Sequence, residues 1–185
     1  MMLLSPEDGE IGLVLAREAL EAAVLHVDLN SPTLPPVFVE KRGVFVTLNN
    51  EGELRGCIGI PMPVMPLADA IVEAAASAAL NDPRFPPVTP DELPDIALEL
   101  TILSVPEAVT GDPAERPDHV IIGRHGLIIR GRGQGGLLLP QVASDNTWSP
   151  VEFLEQTCMK AGLPRGCWQH EDVVVMRFEG QIFAE

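Results

Sequence analysis

The stretch Val44-Phe45-Val46-Thr47-Leu48 is followed by Asn49-Asn50-Glu51-Gly52 and then by Leu54-Arg55-Gly56-Cys57-Ile58-Gly59. The first run is apolar and rich in β-branched and aromatic side chains, which is typical of a strand. The second run has the composition of a hairpin turn, and the third leads to a proline-rich segment beginning at Pro61, which cannot continue a sheet ladder. The stretch therefore predicts a β-hairpin whose second strand ends at Ile60.

Helices are predicted on both sides of this hairpin. Ser5-Pro6-Glu7-Asp8 combines an N-cap hydroxyl, a proline at the first helical position and acids in the first turn, so a helix is expected from there to about Asp28. Leu67–Leu80 is an alanine-rich helix by composition. Ser149-Pro150-Val151-Glu152 is a capping box that opens a helix ending at Ala161.

Further strands are predicted where apolar residues form short runs or alternate with polar ones. A short helical turn is expected at Thr89-Pro90-Asp91-Glu92, and the polar residues 111–118 are expected to form a mobile connection. The interleaving of hairpins and helices predicts an α+β fold with a mostly antiparallel sheet covered by helices. These additional strands fall at residues 37–39, 96–105, 125–130, 137–139, 173–178 and 181–183.

The composition limits the classes of protein to which the chain can belong. Its 185 residues suffice for one domain, or one core with an attached lobe, that buries a sizeable core. The net charge of -15 argues against a nucleic-acid module, because such modules neutralise phosphates with a basic face. The sequence shows neither an apolar run of about eighteen residues nor a basic, apolar leader. We therefore expect a cytoplasmic protein that does not enter a membrane.

The three cysteines do not predict a disulfide framework or a metal site. No Cys-x-x-Cys pair occurs, and the spacing of His119 and His125 does not place them on one helix face. Cys158 and Cys167 flank the end of a predicted helix and are expected to be packed thiols. We expect no metal and no cofactor.

Four stretches taken together resemble the AMMECR domain family, named for a chromosomal region associated with Alport syndrome, midface hypoplasia and elliptocytosis. They are Leu54-Arg55-Gly56-Cys57-Ile58-Gly59, Asn81-Asp82-Pro83-Arg84-Phe85, the run from Gly136 to Ala143, and Glu152-Phe153-Leu154 leading to residues 158–163. The resemblance spans nearly the whole chain. It implies a single AMMECR-like domain over residues 1–185, with a larger lobe and a smaller lobe around residues 111–140. It also implies a functional role for the six-residue signature at 54–59.

The signature can be read in two ways. Alternation along a strand would place Arg55, Cys57 and Gly59 on one face. A guanidinium beside a thiol favours the reactive thiolate, while Gly56 and Gly59 open the backbone to a ligand or to a packed segment. The other interpretation is architectural, because free cysteine is often a buried, inert residue and strand glycines often mark tight packing.

Three further positions are candidates for the same site. Asp82 and Arg84 lie in a proline-rich loop and either face the signature across a charged cleft or pair with each other. Gln141 can both donate and accept hydrogen bonds. His125 begins a predicted strand and is the weak candidate for a base acting on Cys57.

We therefore expect the signature strand and the loop with Asp82 and Arg84 to line a cleft that binds a small anionic ligand or a partner segment. The ligand-binding residues would be Arg55, Gly56, Gly59, Asp82, Arg84 and Gln141. The first alternative is an enzyme in which Cys57, activated by Arg55, serves as a nucleophile or redox thiol. The second is an adaptor for a Memo-like or radical-SAM protein, which the resemblance implies; the chain itself has no cluster-binding Cys-x-x-x-Cys-x-x-Cys. The sequence leaves these interpretations and the oligomeric state open.

Overall fold

The structure is a computed structural model that describes residues 3–185. The chain forms two compact units. The larger unit comprises the residues up to Leu103 together with Gln181–Glu185, and the smaller unit comprises Ser104–Gly180. Both contain antiparallel strands and flanking helices, so the predicted α+β fold with a larger and a smaller lobe is confirmed.

Three strands form the antiparallel sheet of the larger unit, with β1 (Gly43–Asn50) between β2 (Glu53–Ile60) and β3 (Ile96–Leu103). β2 is the edge strand. The predicted hairpin is confirmed, and its turn places Glu51 and Gly52 at φ values of 52° and 83°. Two consecutive positive φ values are typical of a type I′ turn, which joins two strands by a two-residue loop and matches their right-handed twist.

Two helices, α1 (Pro6–Leu25) and α2 (Leu67–Leu80), pack against each other and against the sheet. α1 begins as predicted, with the Ser5 hydroxyl accepting a hydrogen bond from the Asp8 amide at 3.1 Å. The small alanines of α2 let its backbone approach β1 and β2 closely, and apolar residues of β1 and β3 are buried beneath the helices. These buried strand residues are Val44, Val46, Leu48, Leu98, Leu100 and Ile102.

The smaller unit is built on β4 (Glu107–Ala108), β5 (His125–Gly131), β6 (Gln134–Leu138) and β7 (Val174–Ala184), whose last residues belong to the larger unit. β5 pairs antiparallel with β6 and β7, and β4 pairs with β7. Two helices follow β6: α3 (Pro140–Asp145) and α4 (Pro150–Lys160). The predicted capping box of α4 is present, with Ser149 N donating to Glu152 Oε2 at 2.8 Å and Glu152 N donating to Ser149 Oγ at 3.3 Å.

The prediction that Cys158 and Cys167 are packed thiols is wrong. They form a disulfide with a Cα–Cα distance of 6.0 Å, which joins the last turn of α4 to a short 3-10 helix, Cys167–Gln169. The separation of nine residues is not a disulfide motif that the sequence alone would reveal. The two cysteines meet because the chain reverses its direction after α4. Gly162, at a φ of 75°, makes that reversal without strain.

Several predicted elements differ from those observed. Residues 37–39 lie in a 3-10 helix, Pro36–Val39, because the two preceding prolines hold the chain out of a sheet ladder. Residues 111–118 contain the 3-10 helix Pro113–His119, which Asp112 caps by accepting a hydrogen bond from Ala114 N. α3 is not among the predicted elements, and the one strand Val174–Ala184 stands where two strands, at 173–178 and 181–183, are predicted. Among residues 3–185, no helix is long and apolar enough to cross a membrane.

Candidate functional site

The signature stretch lies on β2 and contains a β-bulge. Leu48 is opposite Gly56 and Asn49 is opposite Leu54, so Arg55 is the extra residue with no partner on β1. A bulge re-aims the side chain that it carries. The strict alternation that would place Arg55 on the same face as Cys57 is therefore interrupted between them.

The backbone of Cys57 is held at the outer edge of the sheet by two side chains from the loop after α2. Its N–H donates to Asp82 Oδ2 at 2.8 Å, and its carbonyl oxygen accepts from Arg84 Nη2 at 3.3 Å. The Asp82–Arg84 pair thus supplies the acceptor and the donor that a neighbouring strand would otherwise provide. This protects the edge strand at Cys57 from pairing with another chain.

The side chains of Asp82 and Arg84 also bind each other through two hydrogen bonds. Arg84 Nε donates to Asp82 Oδ1 at 2.9 Å, and Arg84 Nη2 donates to Asp82 Oδ2 at 2.6 Å. Asp82 is 4% exposed, whereas the Arg84 side chain is 53% exposed. The hydrogen bonds from the Arg84 side chain, helped by those from the backbone amides of Cys57 and Arg84, hold the pKa of Asp82 far below its ordinary value. Asp82 therefore stays ionised and fixes one side of the guanidinium.

The outer side of this pair carries donors that remain available. Arg84 Nη1 has no hydrogen-bond partner within residues 3–185. Cys57 directs its N–H away from β1, so Gly59, two residues further along β2, directs its N–H and carbonyl to the same outer side. No described residue bonds to these two groups of Gly59. Arg84 Nη2 bonds to the Cys57 carbonyl, and the Gly59 N–H is the next outward-facing backbone group along the open edge of the sheet.

Arg55 is committed to a different set of partners. Its Nε donates to Glu92 Oε1 at 2.7 Å, and its Nη1 and Nη2 donate to the carbonyls of Pro86 and Pro87 at 2.9 and 3.3 Å. Hydrogen bonds from Arg55, followed by those from Thr89, lower the pKa of Glu92 to about 2. Arg55 thus ties β2 to the proline-rich loop. Arg84, rather than Arg55, is the guanidinium bonded to Cys57.

The two glycines of the signature are required by packing within the larger unit. A Cβ at Gly56 would lie closer than 3.0 Å to the backbone carbonyl of Ala78 in α2. A Cβ at Gly59 would meet the ring of Phe45, its partner on β1, also within 3.0 Å. Close packing therefore accounts for glycine at both positions, against the α2 backbone at Gly56 and against the Phe45 ring at Gly59.

Cys57 is the free cysteine of the chain and is partly exposed. The Thr47 hydroxyl, directly opposite on β1, donates to its sulfur at 3.2 Å. Glu99 on β3 faces Thr47, so a thiol, a hydroxyl and a carboxylate form one row across the three strands. His26, an exposed residue that ends α1, is the one histidine in the sequence of the larger unit.

The structure brings together most of the predicted site residues, all in the larger unit. Asp82 and Arg84 bond to the backbone of Cys57 in the signature and also pair with each other, and the charged cleft between them stays a prediction. Gln141 lies in α3, in the smaller unit, and its role at the site stays a prediction. His125 also lies in the smaller unit, where its Nδ1 accepts a hydrogen bond from Ile121 N at 3.0 Å and burial lowers its pKa.

Thr47, Glu92 and Phe85 belong to the cluster and were not predicted as site residues. The hairpin register, counted back from the turn, would have placed Thr47 opposite Cys57 only if the bulge had been known. Glu92 was noticed solely as part of a short helical cap, which it also forms, with Thr89 N donating to its Oε2 at 2.8 Å. The Phe85 ring lies 6.0 Å from the Arg55 guanidinium carbon and 5.4 Å from that of Arg84, within the range of cation–π attraction.

The chain is thus a two-unit α+β protein with a candidate site on an edge strand of its larger unit. The family model that matches the chain is that of AMMECR1, over residues 13–183. The chain belongs to the AMMECR1 family.

Relatives match the chain over its full length. A protein of Thermococcus onnurineus is 48% identical, with 100% of this chain and 94% of the relative covered. A protein of Methanosarcina acetivorans is 48% identical, with 99% and 94% covered. The crystal structure of the uncharacterized protein PH0010 from Pyrococcus horikoshii is similar, with a TM-score of 0.90 and 43% identity, covering 100% of this chain and 94% of that one.

Proposed function

We propose that the outer edge of β2 binds a small anionic ligand, such as a carboxylate or phosphate, between Arg84 and the Gly59 amide. The observation that supports this is Arg84 Nη1, which has no hydrogen-bond partner among the described residues and belongs to a half-exposed side chain. Arg84 Nη2 already bonds to the carbonyl of Cys57, two residues before Gly59 on the same strand. Guanidinium and backbone amide donors together are a common means of holding an oxyanion. Cys57 would lie next to the bound group.

Asp82 has a double role in this proposal. It fixes the guanidinium through Nε and Nη2, so little conformational entropy is lost when a ligand binds. It also neutralises most of the charge of Arg84. In addition, the whole chain carries a net charge of -15 and so repels anions at long range. Large polyanions are therefore disfavoured, and selectivity depends on hydrogen-bond geometry rather than on the overall field.

Isothermal titration calorimetry with acetate, citrate and inorganic phosphate tests the proposal. We expect Arg84→Gln to weaken the best ligand about tenfold, the loss typical of one charge-assisted hydrogen bond near a surface. Arg132→Gln is the matched control, because Arg132 is an exposed arginine paired with Asp172 in the smaller unit. Arg55→Ala should lower stability and leave the affinity unchanged. Equal affinities in wild type and Arg84→Gln would refute the proposal.

A second candidate function is chemistry at Cys57. It is favoured by a free, partly exposed thiol that accepts a hydrogen bond from the Thr47 hydroxyl. In this case Cys57→Ser would abolish turnover of an electrophile or disulfide without unfolding the protein, and Thr47→Val would slow it. If only binding occurs, Cys57→Ser leaves ligand affinity close to the wild-type value.

The adaptor role with a Memo-like or radical-SAM protein stays a prediction that the family resemblance carries, and the cytoplasmic location stays a prediction from the sequence. Co-purification of the chain with such a protein would support it. If no complex forms at micromolar concentrations of both proteins, the adaptor role is wrong.

A further inference from the structure

The outer edge of β2 is open at Gly59 and closed at Cys57. At Cys57, Asp82 Oδ2 accepts from the N–H at 2.8 Å and Arg84 Nη2 donates to the carbonyl at 3.3 Å. At Gly59, both outward-facing backbone groups are without a partner among residues 3–185. An unpaired N–H and C=O on an edge strand can pair with another chain. The next outward-facing residue, Pro61, has no N–H to donate.

A simple carboxylate satisfies only part of this open edge. It can accept hydrogen bonds from the Gly59 N–H and from Arg84, but it has no donor for the Gly59 carbonyl. A peptide residue in the extended conformation has both, because it donates its own N–H and accepts at its own carbonyl when it lies opposite a strand residue. The donor and the acceptor of Gly59 together therefore fit an extended peptide.

The closed position at Cys57 limits the length of such a peptide. Two residues beyond its pairing with Gly59, the peptide would meet Cys57, whose pairing groups the side chains of Asp82 and Arg84 already occupy. The peptide must therefore end at the residue opposite Ile58. Because strand residues are about 3.4 Å apart, the end group of that residue would lie level with Cys57, where Arg84 is bonded.

Charge selects which end of the peptide lies there. The Arg84 side chain is 53% exposed and its Nη1 has no hydrogen-bond partner among the described residues. Asp82 is 4% exposed, and both of its carboxylate oxygens accept hydrogen bonds from Arg84 or Cys57. The accessible charge is therefore the guanidinium, which attracts a C-terminal carboxylate and repels an N-terminal ammonium. A carboxylate end level with Cys57 makes the peptide antiparallel to β2.

We propose that the open edge of β2 binds the C-terminal end of an extended peptide. The penultimate residue pairs with both backbone groups of Gly59, and the terminal carboxylate accepts from Arg84 Nη1. This proposal rests on the proposed function, since it uses the same guanidinium, and it names the ligand class. The penultimate side chain lies on the face of Phe45, whose ring occupies the space where a Cβ of Gly59 would be, so an apolar residue is favoured there.

The test follows the Gly59 amide of the full-length protein by ¹⁵N-resolved NMR. The ligands are acetyl-Ala-X-Ala peptides with a free C-terminus, in which X is glycine, alanine, valine, leucine, phenylalanine or serine. Each is compared with its C-terminal amide and with acetate. We expect a saturable shift of the Gly59 amide, binding of the best peptide at least about tenfold tighter than acetate, and about tenfold weaker binding of its amide.

N-methylated peptides test the backbone pairing. A methyl group on the nitrogen of X removes the donor to the Gly59 carbonyl and should weaken binding at least about tenfold. A methyl group on the nitrogen of the first alanine is the matched control, because that N–H points away from β2, and it should change the affinity less than about twofold. Arg84→Gln should weaken the free peptide about tenfold and leave the amide unchanged, whereas Arg132→Gln should affect neither.

Four results separate this proposal from the proposed function. Acetate binding as tightly as the best peptide, and weakened by Arg84→Gln, would leave the anion site and overturn the peptide ligand. Equal affinities of free and amidated peptides would show that the carboxylate is not recognised. Equal effects of the two methyl groups would show that the peptide does not pair with Gly59. An unchanged Gly59 amide with acetate and with every peptide would overturn both proposals.

Discussion

Replacing Asp82 by alanine is expected to destabilise the larger unit far more than the loss of an ordinary surface ion pair would. The substitution removes the acceptor of the Cys57 amide, and an unsatisfied, partly buried N–H costs about 1–3 kcal/mol. It also removes the hydrogen bonds that fix Arg84. The loss of free energy from this second change is smaller, because the half-exposed guanidinium can be hydrated by solvent instead. The expected loss in the free energy of unfolding is about 2–4 kcal/mol for Asp82→Ala. Asp82→Asn keeps an acceptor and should lose about 1–2 kcal/mol.

Urea unfolding followed by far-UV circular dichroism measures these losses, since both tryptophans lie in the smaller unit and report on it instead. Amide hydrogen exchange at Cys57 gives a local readout and should speed up in Asp82→Ala. Asp172→Ala, which removes the partner of exposed Arg132, is the control and should stay close to wild type. If Asp82→Ala and Asp172→Ala prove equally stable, the Asp82–Arg84 pair does not hold the edge strand.

Three other outcomes are expected. Because the folded pKa of Glu92, about 2, lies below the ordinary 4.5, the stability it contributes is present above pH 4.5 and is lost as pH falls towards 2. The stability gap between wild type and Glu92→Gln should therefore shrink over that range in acid titrations followed by circular dichroism. Gly56→Ala should cost about 1–3 kcal/mol by its clash with α2, whereas Gly135→Ala, whose Cβ would lie no nearer than 3.4 Å to any neighbour, should be tolerated in the same urea assay. Thiol titration of the unfolded, unreduced protein should count one thiol, that of Cys57. Reduction of the Cys158–Cys167 disulfide should lower the free energy of unfolding of the smaller unit by about 2–3 kcal/mol, measured by tryptophan fluorescence.

The sequence predicted the elements whose signals are local. The hairpin follows from a turn between two β-rich runs, α2 follows from its alanines, and the capping box of α4 follows from Ser149 and Glu152. The pairing of Asp82 with Arg84 was also within reach, because residues two apart in a turn are natural partners.

Features that depend on long-range register were not predicted. The bulge at Arg55 arises from the fit of β2 against β1 and leaves no mark in composition. The pairing of Arg55 with Glu92 joins residues 37 apart, and the disulfide depends on how the chain turns back after α4. These are tertiary contacts, and they decide which arginine is bonded to Cys57.

The proposed binding of anions by Arg84 beside Cys57 is tested by alkylation of Cys57 with a charged and an uncharged reagent. Iodoacetate and iodoacetamide present the same reactive carbon and differ in charge, and their rates at Cys57 are to be read by mass spectrometry in wild type and Arg84→Gln. We expect the ratio of iodoacetate to iodoacetamide rates to fall about tenfold in Arg84→Gln, the loss typical of one charge-assisted hydrogen bond. A ratio that is the same in both proteins would contradict it.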